Sequence, residues 1–268
     1  MNLLVTPEGL ARLDGDGAVL LDLPFADVAA MLAAGEGFAP ARAARERGRI
    51  PLGELRAPLR RTGAIWGVGL NYLSKARLTG RPIPDDPILF LRPPSAVSAP
   101  GEEVVLPVDR SRQVDYEGEV AFVIGRRMHH VPPGEVWDGV AGVTAANDMT
   151  ARDVMAATGT PTLAKCFPGF GALGASVLDL SEVDDPESIA VSTSVNGTVR
   201  QDSSTAELIF SVPELVSRIS RFAVLEPGDV VLTGTPAGTG QDRQVFLSPG
   251  DEVEVSVAGV LPLRTRFR

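Results

Sequence analysis

The sequence predicts an α+β protein in which β-strands predominate. Short apolar runs bounded by glycine or proline recur along the 268 residues, which include 28 Gly and 22 Pro. Runs of this length bounded by turn residues are typical of strands. Segments with helical character are fewer, such as residues 26–34 and 213–222. The chain therefore favours a loop-rich, strand-rich fold with a few helices.

The length and the first part of the chain predict a small appendage in front of one large domain. Asp14–Gly17 separates two apolar runs as a hairpin turn, and the helix at 26–34 ends before Gly35. Residues 41–48 form a charged, alanine-rich helix or linker. We expect a small N-terminal domain over residues 1–60 and a main domain over residues 61–268.

Composition excludes several classes of protein. No apolar stretch approaches the ~18 residues that cross a bilayer, and no signal-peptide pattern begins the chain. Cys166 is the only cysteine, which excludes an internal disulfide framework. A net charge of −9 and a pI of about 4.8 argue against nucleic acid as a partner. These features predict a soluble, cytoplasmic protein without a membrane or nucleic-acid partner.

The most informative segment alternates acids and then becomes wholly apolar. Asp115, Glu117 and Glu119 occupy every second position, and residues 120–124 read Val-Ala-Phe-Val-Ile. The apolar run predicts a buried strand, on which side chains two residues apart share a face. Clustered, poorly solvated carboxylates need protons or a cation, and oxygen ligands favour Mg²⁺ or Mn²⁺. A solvated edge strand is the alternative, but the continuous passage into five apolar residues argues against it.

The usage of basic residues is strongly biased. Of the 25 basic residues only Lys75 and Lys165 are lysine, so 23 are arginine. Lysine and arginine differ in shape and titration, so the two lysines are predicted to stand where a compact ammonium is required. Chance explains either one equally well unless both lie near the acidic residues.

Motifs for other chemistries are missing. His129 and His130 are adjacent in a turn, where neighbouring side chains diverge, so we expect solvated loop histidines. Without another histidine, a Ser-His-Asp triad or a His-rich zinc site is excluded. Gly67-x-Gly69 lacks the third glycine of a dinucleotide site, because Tyr72 occupies that position.

Three further segments carry polar groups next to predicted strands. The strand 140–146 ends at Asn147-Asp148, and Thr150 with Asp153 predicts a capping box that leaves Asp148 free. Asp148 is then either a turn residue or a third metal carboxylate. Residues 73–87 have the composition of a mobile loop or lid, and the Gly- and Thr-rich loop 233–240 offers N–H groups to a carboxylate.

Taken in order, these segments resemble the fumarylacetoacetate hydrolase family. The matching segments are weak individually and specific as a series. They span residues 64–266 and comprise Gly67-Val-Gly-Leu-Asn-Tyr72, Leu89-Phe-Leu-Arg-Pro-Pro-Ser95, Asp115-Tyr-Glu-Gly-Glu119, Asn147-Asp-Met-Thr-Ala-Arg-Asp153, Leu163-Ala-Lys165, Arg200-Gln-Asp202, Leu225-Glu-Pro-Gly-Asp229 and Thr233-Gly-Thr-Pro236.

The resemblance implies a mixed β-sandwich roll, a homodimer, and one Mg²⁺ or Mn²⁺ per active site. Family members act on 2-oxo or 1,3-dicarbonyl acids by C–C hydrolysis, decarboxylation, tautomerisation or hydration. The implied metal ligands are Glu117, Glu119 and Asp148. The site lysine is Lys165, and the residues implied to bind a carboxylate-bearing substrate are Arg152, Thr235, Gly234, Gln201 and Tyr72.

One departure from the family pattern concerns the lid. Hydrolytic members usually carry a histidine four residues after the Asn of Asn-Tyr and a glutamate three residues later. Here these positions hold Lys75 and Leu78. Lys75 is then an alternative base, or the reaction needs no activated water, or the protein binds without efficient turnover.

These observations predict a divalent-metal enzyme that cleaves a C–C bond or catalyses enolate-type isomerisation or cyclisation of a 2-oxo or 1,3-dicarbonyl acid. The alternative is a catalytically weak member that binds a metal–carboxylate ligand.

Overall fold

The computed structural model of the protein describes residues 1–59 and 63–268. The N-terminal segment contains strands β1 (Asn2–Thr6), β2 (Gly9–Asp14), β3 (Gly17–Leu21) and β4 (Glu46–Pro51), and helices α1 (Val28–Ala33) and α2 (Ala39–Ala43). The hairpin turn is confirmed, because β2 pairs with β3 from Asp14↔Gly17 onward. The first predicted helix is confirmed as α1. The predicted helix or linker at 41–48 is wrong in part, since α2 ends at Ala43 and β4 begins at Glu46.

The remaining chain supplies fourteen strands among the described residues. They are β5 (Ile65–Gly69), β6 (Ile88–Arg92), β7 (Glu103–Val104), β8 (Val114–Asp115), β9 (Gly118–Ile124), β10 (Val140–Asp148), β11 (Thr150–Ala151), β12 (Gly171–Leu173), β13 (Ser176–Asp179), β14 (Ala190–Val195), β15 (Thr198–Ser204), β16 (Val230–Leu232), β17 (Glu252–Val257) and β18 (Leu263–Phe267).

The helices of this part are short. They are α3 (Leu73–Thr79), α4 (Arg152–Thr158), α5 (Pro161–Ala164), α6 (Val212–Ser220) and α7 (Gly240–Arg243). Single 3-10 turns lie at Pro94–Ala96, Leu180–Glu182 and Thr205–Glu207, and a longer one at Pro133–Gly139. The predicted α+β class with predominant β-structure is confirmed.

Two large sheets form the molecule. The larger has the order β4-β3-β2-β1-β13-β10-β9-β16-β5-β6, with β12 also paired to β10. The smaller has the order β15-β14-β17-β18-β7, and β8 pairs with β11. Because β1 pairs with β13, the N-terminal strands extend the larger sheet. The predicted boundary between residues 60 and 61 lies outside the described residues, and the division into two domains stays a proposal.

Strand β9 lies at the centre of the larger sheet and is buried on both faces. Val120, Phe122 and Ile124 pack in the core against the smaller sheet. Ala121 and Val123 pack in a second core with residues of α1. Alternate side chains of a strand point to opposite faces, so burial of both faces requires an unbroken apolar run. This explains residues 120–124 and excludes the solvated edge strand.

Two local predictions need correction. Residues 73–87 do not form a loop throughout, because α3 covers Leu73–Thr79 and ends at Gly80 in the left-handed conformation. Thr150 is not the cap of α4: the helix begins after Ala151 without a side-chain cap. Asp153 instead accepts hydrogen bonds from Ser111 Oγ and the Arg112 amide. Tertiary partners displace the local capping box.

Within the described chain, none of the helices combines the length and the apolarity that a bilayer crossing demands.

Gly118 begins β9 under the smaller sheet, and we expect Gly118→Ala to destabilise the fold. A Cβ there would lie 1.8 Å from Thr193 Oγ1 and 3.3 Å from Gln201 Oε1. Overpacking of this kind lowers the free energy of unfolding by about 1–3 kcal/mol, measurable by urea denaturation. Gly134→Ala is the control, because nothing lies within 4 Å of its added Cβ. Equal unfolding midpoints for the two variants would contradict this close packing.

Candidate active site

A cavity of about 530 Å³ is lined by six of the ten predicted site residues, namely Lys75, Glu117, Glu119, Arg152, Lys165 and Thr235. It is lined by α3, β6, the start of β9, α4 and the loop that precedes α7. A larger cavity of about 990 Å³ lies between residues 52–57, 99–102 and 261–264. Its charged lining residues are all exposed or half-buried at the surface. The smaller cavity is therefore the candidate active site, because the buried ionisable groups converge there.

Three carboxylates meet at the inner end of this cavity. One oxygen each of Glu117, Glu119 and Asp148 lies within 4.8 Å of the others, and all three residues are buried. Pairing of β9 with β10 places Asp148 beside Glu117, whose carbonyl oxygen accepts the Asp148 amide at 2.8 Å. The strand pairing thus brings together acids that are distant in sequence.

Asp115 does not join this group, although the alternation placed it on the same face. The chain leaves the strand geometry between β8 and β9. Asp115 instead accepts the Gly240 amide at 2.6 Å and the Gln241 amide at 3.0 Å. Arg152 Nε donates to it at 2.7 Å. Arg152 thus links Asp115 to the three grouped carboxylates, and we call all four residues, Asp115, Glu117, Glu119 and Asp148, the acidic cluster.

Three buried cations neutralise most of the acidic cluster. Lys165 Nζ donates to Glu117 Oε2 at 2.6 Å and to Asp148 Oδ2 at 2.5 Å. Arg152 donates from Nη2 to Glu117 Oε1 at 2.5 Å, besides its bond to Asp115. Arg92 pairs with Asp148 and donates to the Lys165 carbonyl oxygen at 2.5 Å. Both carboxylate oxygens of Glu117 are therefore held by cations.

The charges around the cluster do not balance. Four carboxylates face three cations, so full ionisation would leave one negative charge buried. Burial raises the pKa of Glu119 well above its usual value, and the neighbouring charges of Asp148 and Glu117 raise it further. Burial also tends to raise the pKa of Glu117, but Arg152 and Lys165 outweigh it and hold that pKa low. Glu119 is thus the carboxyl of the cluster that most favours its protonated form in the absence of a further cation.

The donor set fits a hard divalent cation. Glu117, Glu119 and Asp148 offer oxygen ligands only, which suits Mg²⁺ or Mn²⁺. A cation among them would also offset the negative charge that raises the pKa of Glu119. These three residues could therefore hold the metal that the resemblance implies.

The residues implied to bind substrate occupy two different places. Thr235 and Arg152 line the cavity. Tyr72 is fully buried, and neither it nor Gln201 or Gly234 is part of the lining.

Gln201 and Gly234 instead support other groups of the site. Gln201 Nε2 donates to Thr235 Oγ1 at 2.8 Å, and its Oε1 accepts the Gly118 amide at 3.0 Å. The Gly234 amide donates to Glu119 Oε2 at 2.7 Å. Gln201 and Gly234 therefore lie outside the cavity lining and hold the side chains of Thr235 and Glu119 in position.

Lys75 lies on α3 and lines the cavity, so both lysines of the chain stand at the site. Its Nζ donates to Thr239 Oγ1 at 2.8 Å and to the two oxygens of Asp242 at 2.7 and 2.8 Å. Burial tends to raise the pKa of Asp242, but the hydrogen bond and the charge of Lys75 outweigh it and lower that pKa. Leu78 also lines the cavity and is exposed.

Sequence reasoning missed two charged residues of the site. Arg92 ends a short apolar strand before two prolines, and its burial follows only from the pairing of the strands around it. Asp242 follows Thr239 at the spacing of a capping box, which was a readable signal in the Gly- and Thr-rich loop. His129 and His130 are exposed, as predicted.

Comparisons with known proteins identify a family and several similar chains. Residues 64–268 match the family model for the fumarylacetoacetate (FAA) hydrolase C-terminal domain. The chain is 38% identical over 205 residues to a Bos taurus protein named oxaloacetate tautomerase FAHD2A, mitochondrial. The match covers 75% of this chain and 65% of that protein, which is just under two thirds of its length.

Two solved structures from Mycobacterium smegmatis are similar over the whole chain. One, described as a putative HpcE protein, has a TM-score of 0.90 and 32% identity, and covers 100% of this chain and 99% of that one. The other, a 5-carboxymethyl-2-hydroxymuconate delta-isomerase, has a TM-score of 0.80 and 31% identity with the same coverage. The family-model match, the buried acidic cluster and the shared fold together establish that this chain belongs to the fumarylacetoacetate hydrolase family.

Proposed function

We propose that the protein is a divalent-metal-dependent isomerase that interconverts the enol and keto forms of a 2-oxo acid. The observation that carries this choice is the ion pair of Lys75 with Asp242. A hydrolase needs a group that activates water, and the lid positions implied for that role hold an ion-paired lysine and an exposed leucine. Tautomerisation consumes no water. The names of the Bos taurus tautomerase and of the Mycobacterium smegmatis isomerase support the same reaction class.

The cavity suggests how such a substrate binds. Thr235 lines the cavity, and its hydroxyl accepts a hydrogen bond from Gln201 and donates to the Gly118 carbonyl oxygen at 3.0 Å. Rotation of this hydroxyl hydrogen toward the cavity is proposed to let Thr235 hold the substrate carboxylate. Leu78, Ile88 and Met155 contribute apolar surface to the same cavity. A volume of about 530 Å³ lies within the usual range of ligand sites, so an acid with an apolar tail would fit.

The chemistry requires one proton shift across three atoms. When bound by Glu117, Glu119 and Asp148, a metal supplies Lewis-acid polarisation of the 2-oxo group. In the direction from enol to keto form, Lys165 Nζ delivers a proton to the carbon beside the carbonyl carbon. The enol C=C electron pair forms that C–H bond, and the enol hydroxyl returns its proton to Lys165. The amine ends the cycle as an ammonium, and atoms and charge balance.

Lys165→Met should lower the rate of tautomerisation by roughly 10²–10⁴-fold, the usual contribution of a general acid–base group. The rate is measured by NMR as decay of the enol form of oxaloacetate and of longer 2-oxo acids with Mg²⁺. Lys165→Arg is the matched variant, because it keeps the charge and cannot shuttle a proton near neutral pH.

The products decide between the competing functions. Full activity of Lys165→Arg would contradict the proton-transfer role. Products with added water, seen by mass spectrometry, would make the protein a C–C hydrolase. Metal binding with no turnover of any acid would favour the alternative of a catalytically weak binding protein.

Glu119→Gln should separate metal binding from folding. The amide keeps an oxygen for the Gly234 N–H and is neutral like the protonated carboxyl that the raised pKa of Glu119 favours, so metal-free stability should change by less than about 1 kcal/mol. Loss of an anionic ligand should weaken Mn²⁺ binding by at least about tenfold, measured by calorimetry. Glu187→Gln, at an exposed position, is the control and should bind Mn²⁺ as the wild type does. Unchanged affinity in Glu119→Gln would remove this residue from the metal site.

Three further features are proposed from the sequence and the resemblance. They are a homodimer, a cytoplasmic location, and a division of the chain at residues 60 and 61. Light scattering of the purified full chain measures the first, and its mass in solution would be twice the 28.2 kDa of the chain.

A further inference from the structure

We propose that Lys75 is a positioning residue that pins helix α3 to the cavity by its ion pair with Asp242, and that this pin fixes the geometry of Glu117. The inference rests on the proposed function only for its kinetic readout. It replaces the hypothesis that Lys75 is the base of the reaction.

The amine of Lys75 has no free hydrogen-bonding capacity. Its donors are directed to Thr239 Oγ1 and to both oxygens of Asp242, all at 2.7–2.8 Å. The side chains of Lys75 and Asp242 are only 11% and 5% exposed. These bonds direct the Lys75 ammonium toward α7 and the turn before it, and none of its acceptors belongs to the acidic cluster. The arrangement is suited to holding two elements together.

Helix α3 is anchored at its N-terminal end by the buried Asn71 and Tyr72, but has few attachments along its own length. Lys75 and Ala76 are its only buried residues, while Leu78 and Thr79 line the cavity from an exposed position. Ser74 Oγ adds a weaker link to the loop before α7, because it accepts the Ala237 amide at 3.3 Å. Beyond this N-terminal anchor, the ion pair of Lys75 is therefore the main tether of the helix to α7 across the site.

A continuous series of bonds leads from the tether to Glu117. Asp242 accepts the amides of Gly238 and Thr239, which shapes the turn before α7. The next two amides in the chain, at positions 240 and 241, donate to Asp115.

From Asp115 the series continues through Arg152. Arg152 bonds Asp115 through Nε and Glu117 through Nη2. Each of these charged groups is buried, where charge-assisted bonds are strong and geometry is closely defined. Closure of α3 and orientation of the Glu117 carboxylate are thereby coupled.

The first measurement is hydrogen exchange of the α3 amides in the full-length, metal-free protein, read by mass spectrometry. Lys75→Met and Asp242→Asn should each speed this exchange by about tenfold or more, because the helix loses its main tether. Lys75→Arg should keep it slow, since a guanidinium can bond both carboxylate oxygens. Arg77→Met is the matched control, because it removes a positive charge from the exposed face of the same helix. Its exchange should match that of the wild type.

The second measurement is the kinetics of tautomerisation in the same variants. If Lys75 positions α3, Lys75→Arg should retain kcat within about threefold, while Lys75→Met should raise KM by roughly tenfold because the helix is no longer held in place. If Lys75 were the base instead, Lys75→Arg should lower kcat by about 10²-fold or more, because arginine stays protonated. Slow α3 exchange combined with that loss of kcat would overturn the proposal.

Unchanged α3 exchange in both Lys75→Met and Asp242→Asn would overturn it independently of any activity. Amides of β9 serve as an internal check that each variant is folded. If exchange follows the expected pattern and no variant or wild type tautomerises a 2-oxo acid, the pin stands and the proposed function fails.

Discussion

The two-sided pairing of Glu117 is the interaction on which the rest of the site depends. Arg152 holds one carboxylate oxygen and Lys165 the other, and each cation then binds a further acid of the cluster. Removing ionised carboxylates from water is costly, so a buried cluster persists only where cations and hydrogen bonds compensate it. Here the carboxyl groups outnumber the cations by one, and the raised pKa of Glu119 reflects this imbalance together with its burial. A divalent cation would therefore be favoured at the inner end of the cavity, where it would stabilise the ionised form of Glu119.

The sheet explains why this cluster can be built at all. Glu119 and Asp148 lie on the central strands β9 and β10, at the ends of runs that are buried on both faces, and Glu117 directly precedes β9. Rigid neighbouring strands set the spacing of Glu119 and Asp148, while Arg152, Lys165 and Arg92 come from α4, the end of α5 and β6. Positions on strands are more precise than positions on loops, which suits chemistry that needs fixed oxygen ligands.

Features that depend on local interactions were predictable from the sequence, whereas features that depend on contacts between distant segments were not. Strand β9 was predictable because burial of both faces leaves a local pattern. The proximity of Glu117 to Glu119 was also local, since the two are separated by a single residue. The burial of Arg92 and the pairing of Lys75 with Asp242 were not predictable, because each depends on contacts between segments more than 50 residues apart. The capping box at Thr150 failed for a related reason: Lys165 Nζ donates to the Thr150 hydroxyl, which long-range packing thus engages elsewhere.

The near absence of lysine has a consequence for covalent chemistry at amines. Both ε-amines of the chain are buried at the cavity, and the described surface otherwise presents arginine as its basic side chain besides histidine. The terminal amine of Met1 is itself engaged by Glu182. An acyl donor or an aldehyde that reacts with a lysine of this protein must therefore first enter the cavity. Lysine acylation would report directly on access to the acidic cluster, with almost no background from the outer surface.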